Sequence, residues 1–258
     1  MLKLRLLILF IFIPVIVFAQ EKPWRVSKST HFLVFYNAAS EELVNQLTEK
    51  AEGYYNEIAD LLGLNRFDYW TWDKRAKIYL FDTPEEYKKA NSNLDWSVGL
   101  VTVGNKSIQS YLTAPGLLDN VLPHELAHII FREMVGFNNP AVPLWLDEGV
   151  AIFHERRSSN QSVKRYLAKK LRSDALMNLS QLYSFDLVHA KDKQSVELFY
   201  FESCSLLDYL ISVFGKDKFM SFCQHLRDYR DLTRALRATY SFDSQLEFEN
   251  SWKAYILK

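Results

Sequence analysis

Val121-Leu122-Pro123-His124-Glu125-Leu126-Ala127-His128-Ile129-Ile130-Phe131 is the stretch on which the reading of this chain turns. Residues four apart on an α-helix point the same way, so His124 and His128 are placed to hold one ion with their imidazoles. Glu125 follows about 100° further round the helix. It cannot chelate in line with the two histidines, but it can lean over a water held beside the ion and take its proton. Leu126, Ala127, Ile129, Ile130 and Phe131 would bury the other faces and hold the polar side chains on a rigid element. Pro123 falls early in the helix, where a missing N–H costs little.

A second element follows, Leu144-Trp145-Leu146-Asp147-Glu148-Gly149-Val150-Ala151, an apolar helix with two acids in its middle. A buried carboxylate needs a partner, and a dication is a strong one. Two histidines, one carboxylate and a water make an open catalytic zinc set. For Asp147, an exposed turn of an amphipathic helix is an equal reading.

The rest of the chain bounds the class. Residues 1–19 read as a cleavable export signal: Lys3 and Arg5 precede an apolar run from Leu6 to Ala19, and Val17 and Ala19 are small enough for the cut. An uncleaved membrane anchor is the rival, but the run is shorter than the roughly 20 residues a bilayer requires. Export implies a periplasmic or extracellular site. Removing the segment leaves 29 basic against 31 acidic residues, a net charge of −2. Nothing in that balance points to nucleic acid or an anionic membrane surface. Aromatic residues make up 15% of the chain, with 8 Gly and 7 Pro, as in an ordered domain with a substantial core.

Strand-like runs come first, at 30–36 and 75–82, then at 98–103 and 106–112 around Gly104-Asn105, which suits a type II′ hairpin turn. Between the first two, a helix from Ser40 to about Leu64 carries Leu43, Leu47, Ala51, Tyr54, Ile58 and Leu61 at helical spacing. Thr83 caps a short helix. From about 119 onward only helices are expected, at 119–136, 143–156, 161–172, 193–214, 216–228 and 244–257. The expected class is α+β: one domain over 20–258, with a sheet-containing lobe at about 24–136 and a helical lobe at about 137–258. Cys204 and Cys223 lie at similar depth on either side of Gly215. A disulfide and two buried free thiols are equally compatible with that placement.

HELAH followed by LWLDEGVA resembles the gluzincin metallopeptidases, and most of all the small bacterial proteins described as peptidase MA-like. The resemblance is close over about 95–258, where Phe199 to Ser203, Gly215, Leu246 and Trp252 also fit. It implies a zincin-like fold with the active site between the two lobes. It implies one Zn2+ per chain held by His124, His128 and Glu148, with Glu125 as general base and a peptide or protein as substrate. Nineteen residues separate His128 from Glu148, close to the family's spacing. Tyr200 is the oxyanion-stabilising residue by resemblance, with His154 or His189 as alternatives and a purely structural tyrosine as another. A strand such as 106–112 would form the rim on which substrate pairs.

Two departures shape the expectation. There is no GxMEN motif to grip a free amine, so an endopeptidase is expected rather than an exopeptidase. Ile152 stands where thermolysin-like enzymes carry an acid, so the outer partner of a zinc-binding histidine must be sought at Asp147 or Glu155. A catalytically inactive binding protein on the same scaffold, or a zinc hydrolase acting on another bond, are the competing functions.

Overall fold

The computed structural model describes residues 23–62, 70, 72–91, 98–155, 160–187, 189–190 and 192–258. The export segment expected at 1–19 lies outside them, as does the side chain of Glu155.

The sheet is built from short alternating runs. Strand β1 (Arg25–Lys28) is almost wholly exposed and pairs antiparallel with β2 (Phe32–Tyr36). No apolar pattern announces β1, which explains why sequence reading passed over it. In β2, Phe32, Val34 and Tyr36 are buried, and in β3 (Ala76–Phe81) Ala76, Ile78 and Leu80 are. Every second residue faces the core, as the pleat requires. Strands β4 (Gly99–Thr102) and β5 (Ser107–Tyr111) complete a sheet of order β1-β2-β3-β5-β4. The three middle strands run parallel, and β1 and β4 flank them antiparallel.

Two expectations are corrected here. The stretch 106–112 contributes an inner strand, β5, paired on both sides, and β4 instead holds the edge. The turn between them is not type II′. Val103–Asn105 winds as one turn of 3-10 helix and Lys106 takes the left-handed conformation, at φ 52°. Its ammonium lies 2.7 Å from Glu133 Oε1, which ties this turn to the helical half.

Helix α1 (Glu41–Leu62) starts at Ser40, whose hydroxyl accepts from the Leu43 N–H at 3.2 Å. Its buried stripe is Val44, Leu47, Ala51, Tyr55, Ile58, Ala59 and Leu62. The expected period holds, but the face is turned by about one residue at three positions, because burial is centred by what packs on the helix. Thr83 caps α2 (Pro84–Ala90) by accepting from the Glu86 N–H.

Beyond Gly116 the chain is helical. A π-helical turn at Leu117–Val121 runs directly into α3 (Leu122–Val135). Then follow α4 (Leu144–Glu155), α5 (Asn160–Arg172), α6 (Leu179–Tyr183), α7 (Lys193–Phe214), α8 (Lys216–Tyr229), α9 (Leu232–Tyr240) and α10 (Gln245–Ile256). The short α6 and α9 were not expected; each is announced by a cap, Asn178 with Gln181 in one and Asp231 in the other. Helices α7 and α8 meet at 119° about Gly215, whose φ is 86°. One hydrophobic core runs from the sheet through α1, α3, α4 and α7 to α10. Cys204 and Cys223 are both buried and free, so the thiol reading is the one observed. Burial pushes the Cys223 thiol well above its ordinary pKa.

The contact that positions the site is α4 against α7. A methyl group on Gly149 would stand 2.6 Å from the carbonyl oxygen of Ser203. Glycine at 149 is therefore what lets the two helices approach closely, and the residue before it is Glu148.

Candidate metal centre and cleft

Helix α3 supplies His124, Glu125 and His128, and α4 supplies Asp147 and Glu148. The spacing of four sets the imidazoles side by side, with His124 Nε2 and His128 Nε2 3.2 Å apart. Glu148 Oε2 stands 3.6 Å from the first and 3.8 Å from the second. These separations close a triangle whose circumscribed circle has a radius of about 2 Å, the length of a zinc–nitrogen or zinc–oxygen bond.

The donor set fits a cation on other grounds too. Glu148 Oε2 is buried with no hydrogen-bond partner among the described residues. Two facing imidazole nitrogens both offer lone pairs unless one carries a proton. Among the described residues, the guanidinium paired with the acids Glu125, Asp147 and Glu148 is that of Arg132, through Asp147. With neutral histidines such a cluster has an excess of two negative charges, which suits a dication. His124, His128 and Glu148 thus form a group able to hold a metal ion.

Asp147 is buried and paired, so the exposed-turn reading is corrected. Its Oδ1 lies 3.1 Å from His128 Nδ1. Its Oδ2 accepts from Arg132 Nε at 2.8 Å and pairs with Arg132 Nη2 at 2.7 Å. Holding Nδ1 in this way leaves Nε2 of His128 aimed at His124 and Glu148, the arrangement by which a carboxylate orients a metal-binding imidazole. Sequence reading named Asp147 but missed Arg132. The available signal was its position four residues after His128 on the same helix.

The electrostatics follow from the crowding. Burial disfavours a charged His128, yet Asp147, Glu148 and Glu125 outweigh it and push its pKa up to about 10. Burial also pushes Asp147 upward, but His128 and Arg132 hold it below the usual carboxylate range. Burial raises Glu125 above that range, with Glu148 adding to the shift and the two histidines opposing it. A carboxylate raised in this way is suited to taking and returning a proton.

A cleft of about 530 Å³ opens over these residues. The edge strand β4 forms one wall, the π-helical turn another, and α4 and α7 close the far side with Ile152 and Tyr200. β4 runs tightly against Glu125: a methyl group on Gly99 would lie 2.8 Å from Glu125 Oε1 and 2.5 Å from Val121 Cγ1. Tyr200 is half-buried and lines the cleft together with His124, His128 and Glu148. The two alternatives to it do not line the cleft. His154 is buried, and His189 is exposed, with its Nδ1 2.8 Å from Asp186. Gly99 and Leu187 were not singled out from sequence, because only the fold carries them to the cleft.

Comparison with known proteins adds one finding. The family model described as Peptidase MA superfamily matches residues 68–258. No curated protein matches the chain.

Proposed function

We propose that this chain, which belongs to the Peptidase MA superfamily, is an exported zinc peptidase of the gluzincin type that hydrolyses internal peptide bonds. One observation carries the proposal: three donor atoms from α3 and α4 share a point about 2 Å away, the reach of a zinc bond, with Glu125 beside them at the floor of an open cleft. His124, His128 and Glu148 would hold the ion. A zinc ion there supplies Lewis acidity, polarising a scissile carbonyl and lowering the pKa of water.

The chain's own residues do the rest. Glu125 takes the proton of the attacking water and passes it to the leaving amine. Asp147, anchored by Arg132, keeps His128 in one orientation throughout. Tyr200 donates its hydroxyl to the oxyanion as negative charge develops. β4, the last strand of the sheet among the described residues, borders the cleft and lines up an extended substrate alongside it. Apart from the metal-holding glutamate and the base, no carboxylate lines the cleft among the described residues, so nothing there grips a substrate's free amine. That favours internal bonds.

Export rests on the sequence of residues 1–19, and the substrate is a peptide or protein met outside the cytoplasm. Nucleic acid is not a partner in this reading. Replacing Glu125 with Gln is the test. Turnover should fall by about 10²- to 10⁴-fold while zinc stays bound. Full activity of zinc-loaded Glu125→Gln would remove the mechanism.

A further inference from the structure

We infer that the outer face of α5 docks the protein onto an anionic phospholipid surface. The inference stands apart from the metal centre and holds whether or not a peptide is cut there.

Its ground is the way charge is distributed along the chain. Residues 156–172, RRSSNQSVKRYLAKKLR, hold seven Lys and Arg and no Asp or Glu. Taking those seven from the 29 basic residues of 20–258 leaves 22 against 31 acidic. A net charge near zero therefore hides one strongly basic segment on an acidic body. The overall balance pointed away from an anionic surface because the two parts cancel in the sum. An anionic plane attracts the first and repels the second, so it also orients the molecule.

The fold turns the segment into a surface. In α5, Val163 and Leu167 are buried, and the Tyr166 ring packs edge-on against Phe201 of α7, with centroids 5.2 Å apart. Arg165, Lys169 and Arg172 are exposed. Their spacing of four and then three sets them in one stripe along the outer side, about 10 Å long at 1.5 Å per residue. Lys164 and Lys170 flank the stripe, half-buried. Lys164 Nζ lies 3.9 Å from the centroid of the Tyr255 ring on α10, and Lys170 Nζ lies 5.5 Å from that of Tyr166. Like charges three and four apart on one helix destabilise it. The helix dipole favours cations in the last turn, which covers Lys169, Lys170 and Arg172 but not Lys164 or Arg165. Cations set side by side in this way gain when a negative surface lies opposite them.

The shape favours lipid over an acidic polypeptide. The stripe lies on a ridge, the outer side of a single helix, and a ridge meets a plane of headgroups along its length. An extended peptide is held better by a groove or a sheet edge. Leu257 is 54% exposed, two residues beyond the Tyr255 ring on which Lys164 rests. An apolar side chain beside cations suits the boundary between headgroups and acyl chains. Val163 and Leu167 are committed to the core, so the helix adsorbs by charge and does not insert.

The test is co-sedimentation of the full chain with vesicles of phosphatidylcholine alone or mixed with phosphatidylglycerol. The apolar run at 1–19 is common to every protein compared, so differences between variants read α5. The full chain should prefer the mixed vesicles, and the preference should fade as salt is raised. Replacing Arg165, Lys169 and Arg172 together with Gln should weaken binding to the mixed vesicles by about 10- to 100-fold. A control with Lys28, Lys89 and Lys218 replaced by Gln removes the same charge from exposed sites on other elements and should bind within about twofold of the parent. Equal loss in the two triple variants, or no preference for phosphatidylglycerol, overturns the inference. Binding to poly-glutamate with none to the mixed vesicles assigns the face to an acidic polypeptide and also overturns it. If the α5 triple variant does not fold, Lys169→Glu alone replaces it, with about a tenfold loss expected and unchanged binding counting against the inference.

Discussion

Two clusters of buried acids lie in the helical half, and they resolve the same problem differently. In the first, Asp147 and Glu148 of α4 face the histidines of α3. In the second, Glu202 of α7 and Glu249 of α10 meet above the start of α6. Glu202 Oε1 accepts from the Met177 N–H at 3.0 Å, and Glu249 Oε2 accepts from the Leu179 N–H at 3.0 Å. Lys253 neutralises Glu249 at 2.6 Å. Among the described residues, each cluster leaves one buried carboxylate oxygen without a hydrogen-bond partner, on Glu148 and on Glu202. Burial raises the pKa of Glu202 to about 8, Glu249 adds to the rise, and the Met177 N–H and Lys253 oppose it. Glu202 therefore stays protonated near neutrality. The second cluster is a pair of side-chain caps that fixes the chain entering α6. In the first cluster the lone oxygen stands 3.6 and 3.8 Å from two imidazole nitrogens beside an open cleft, where a cation would answer the need that a proton answers at Glu202. A buried acid marks a binding site when its neighbours converge on a shared point open to solvent, and a structural clamp when backbone N–H groups occupy it.

Mutations should separate the clusters. The largest effect is expected at Glu148. Glu148→Ala should bring zinc content to background by elemental analysis and end any peptide hydrolysis, with far-ultraviolet circular dichroism unchanged. Glu202→Gln comes next and should leave zinc content alone. The unfolded chain releases the Glu202 proton near 4.5 and the folded chain near 8, so between those values the native state binds more protons. Its stabilising share is complete below about 4.5 and is lost as pH rises toward 8. Urea unfolding across this window should show wild-type stability falling by a few kcal/mol relative to Glu202→Gln, on the order of 1.4 kcal/mol per pKa unit. Parallel curves for the two proteins would mean that Glu202 is charged when folded.

Smaller effects sharpen the contrast. Asp147→Asn removes the charge that steadies His128 and should weaken zinc binding about 10- to 100-fold in a chelator competition. Equal affinity would reduce Asp147 and Arg132 to a plain ion pair. Lys253→Met is the smallest. This partly exposed partner of Glu249 should cost within about 1 kcal/mol of unfolding free energy and nothing in zinc affinity.

Where the sequence was legible, the information was local. His124 and His128 share a helix face because of a four-residue spacing, and that geometry needs no other part of the chain. The same holds for the alternation in 32–36 and 76–81 and for the caps at Ser40 and Thr83. The match to a family model over 68–258 extends the same kind of evidence.

Where sequence reading failed, the answer depended on neighbours distant in the chain. Nothing in RVSK says that it pairs with β2, because the pairing uses backbone groups common to every residue. The order of β4 and β5 in the sheet puts β5 inside and β4 outside it, and that order rests on the pairing of β5 with β3, a strand distant in the chain. The buried face of α1 is turned by the packing it meets. Arg132 finds Asp147 because α3 packs on α4, and Leu187 reaches the cleft from the stretch between α6 and α7. Spacing along one helix therefore determined which side chains could share an ion. Which strand borders them, which cation steadies them and which apolar residues wall them in were decided by tertiary packing, since those contacts join segments whose separation in sequence carries no geometric constraint.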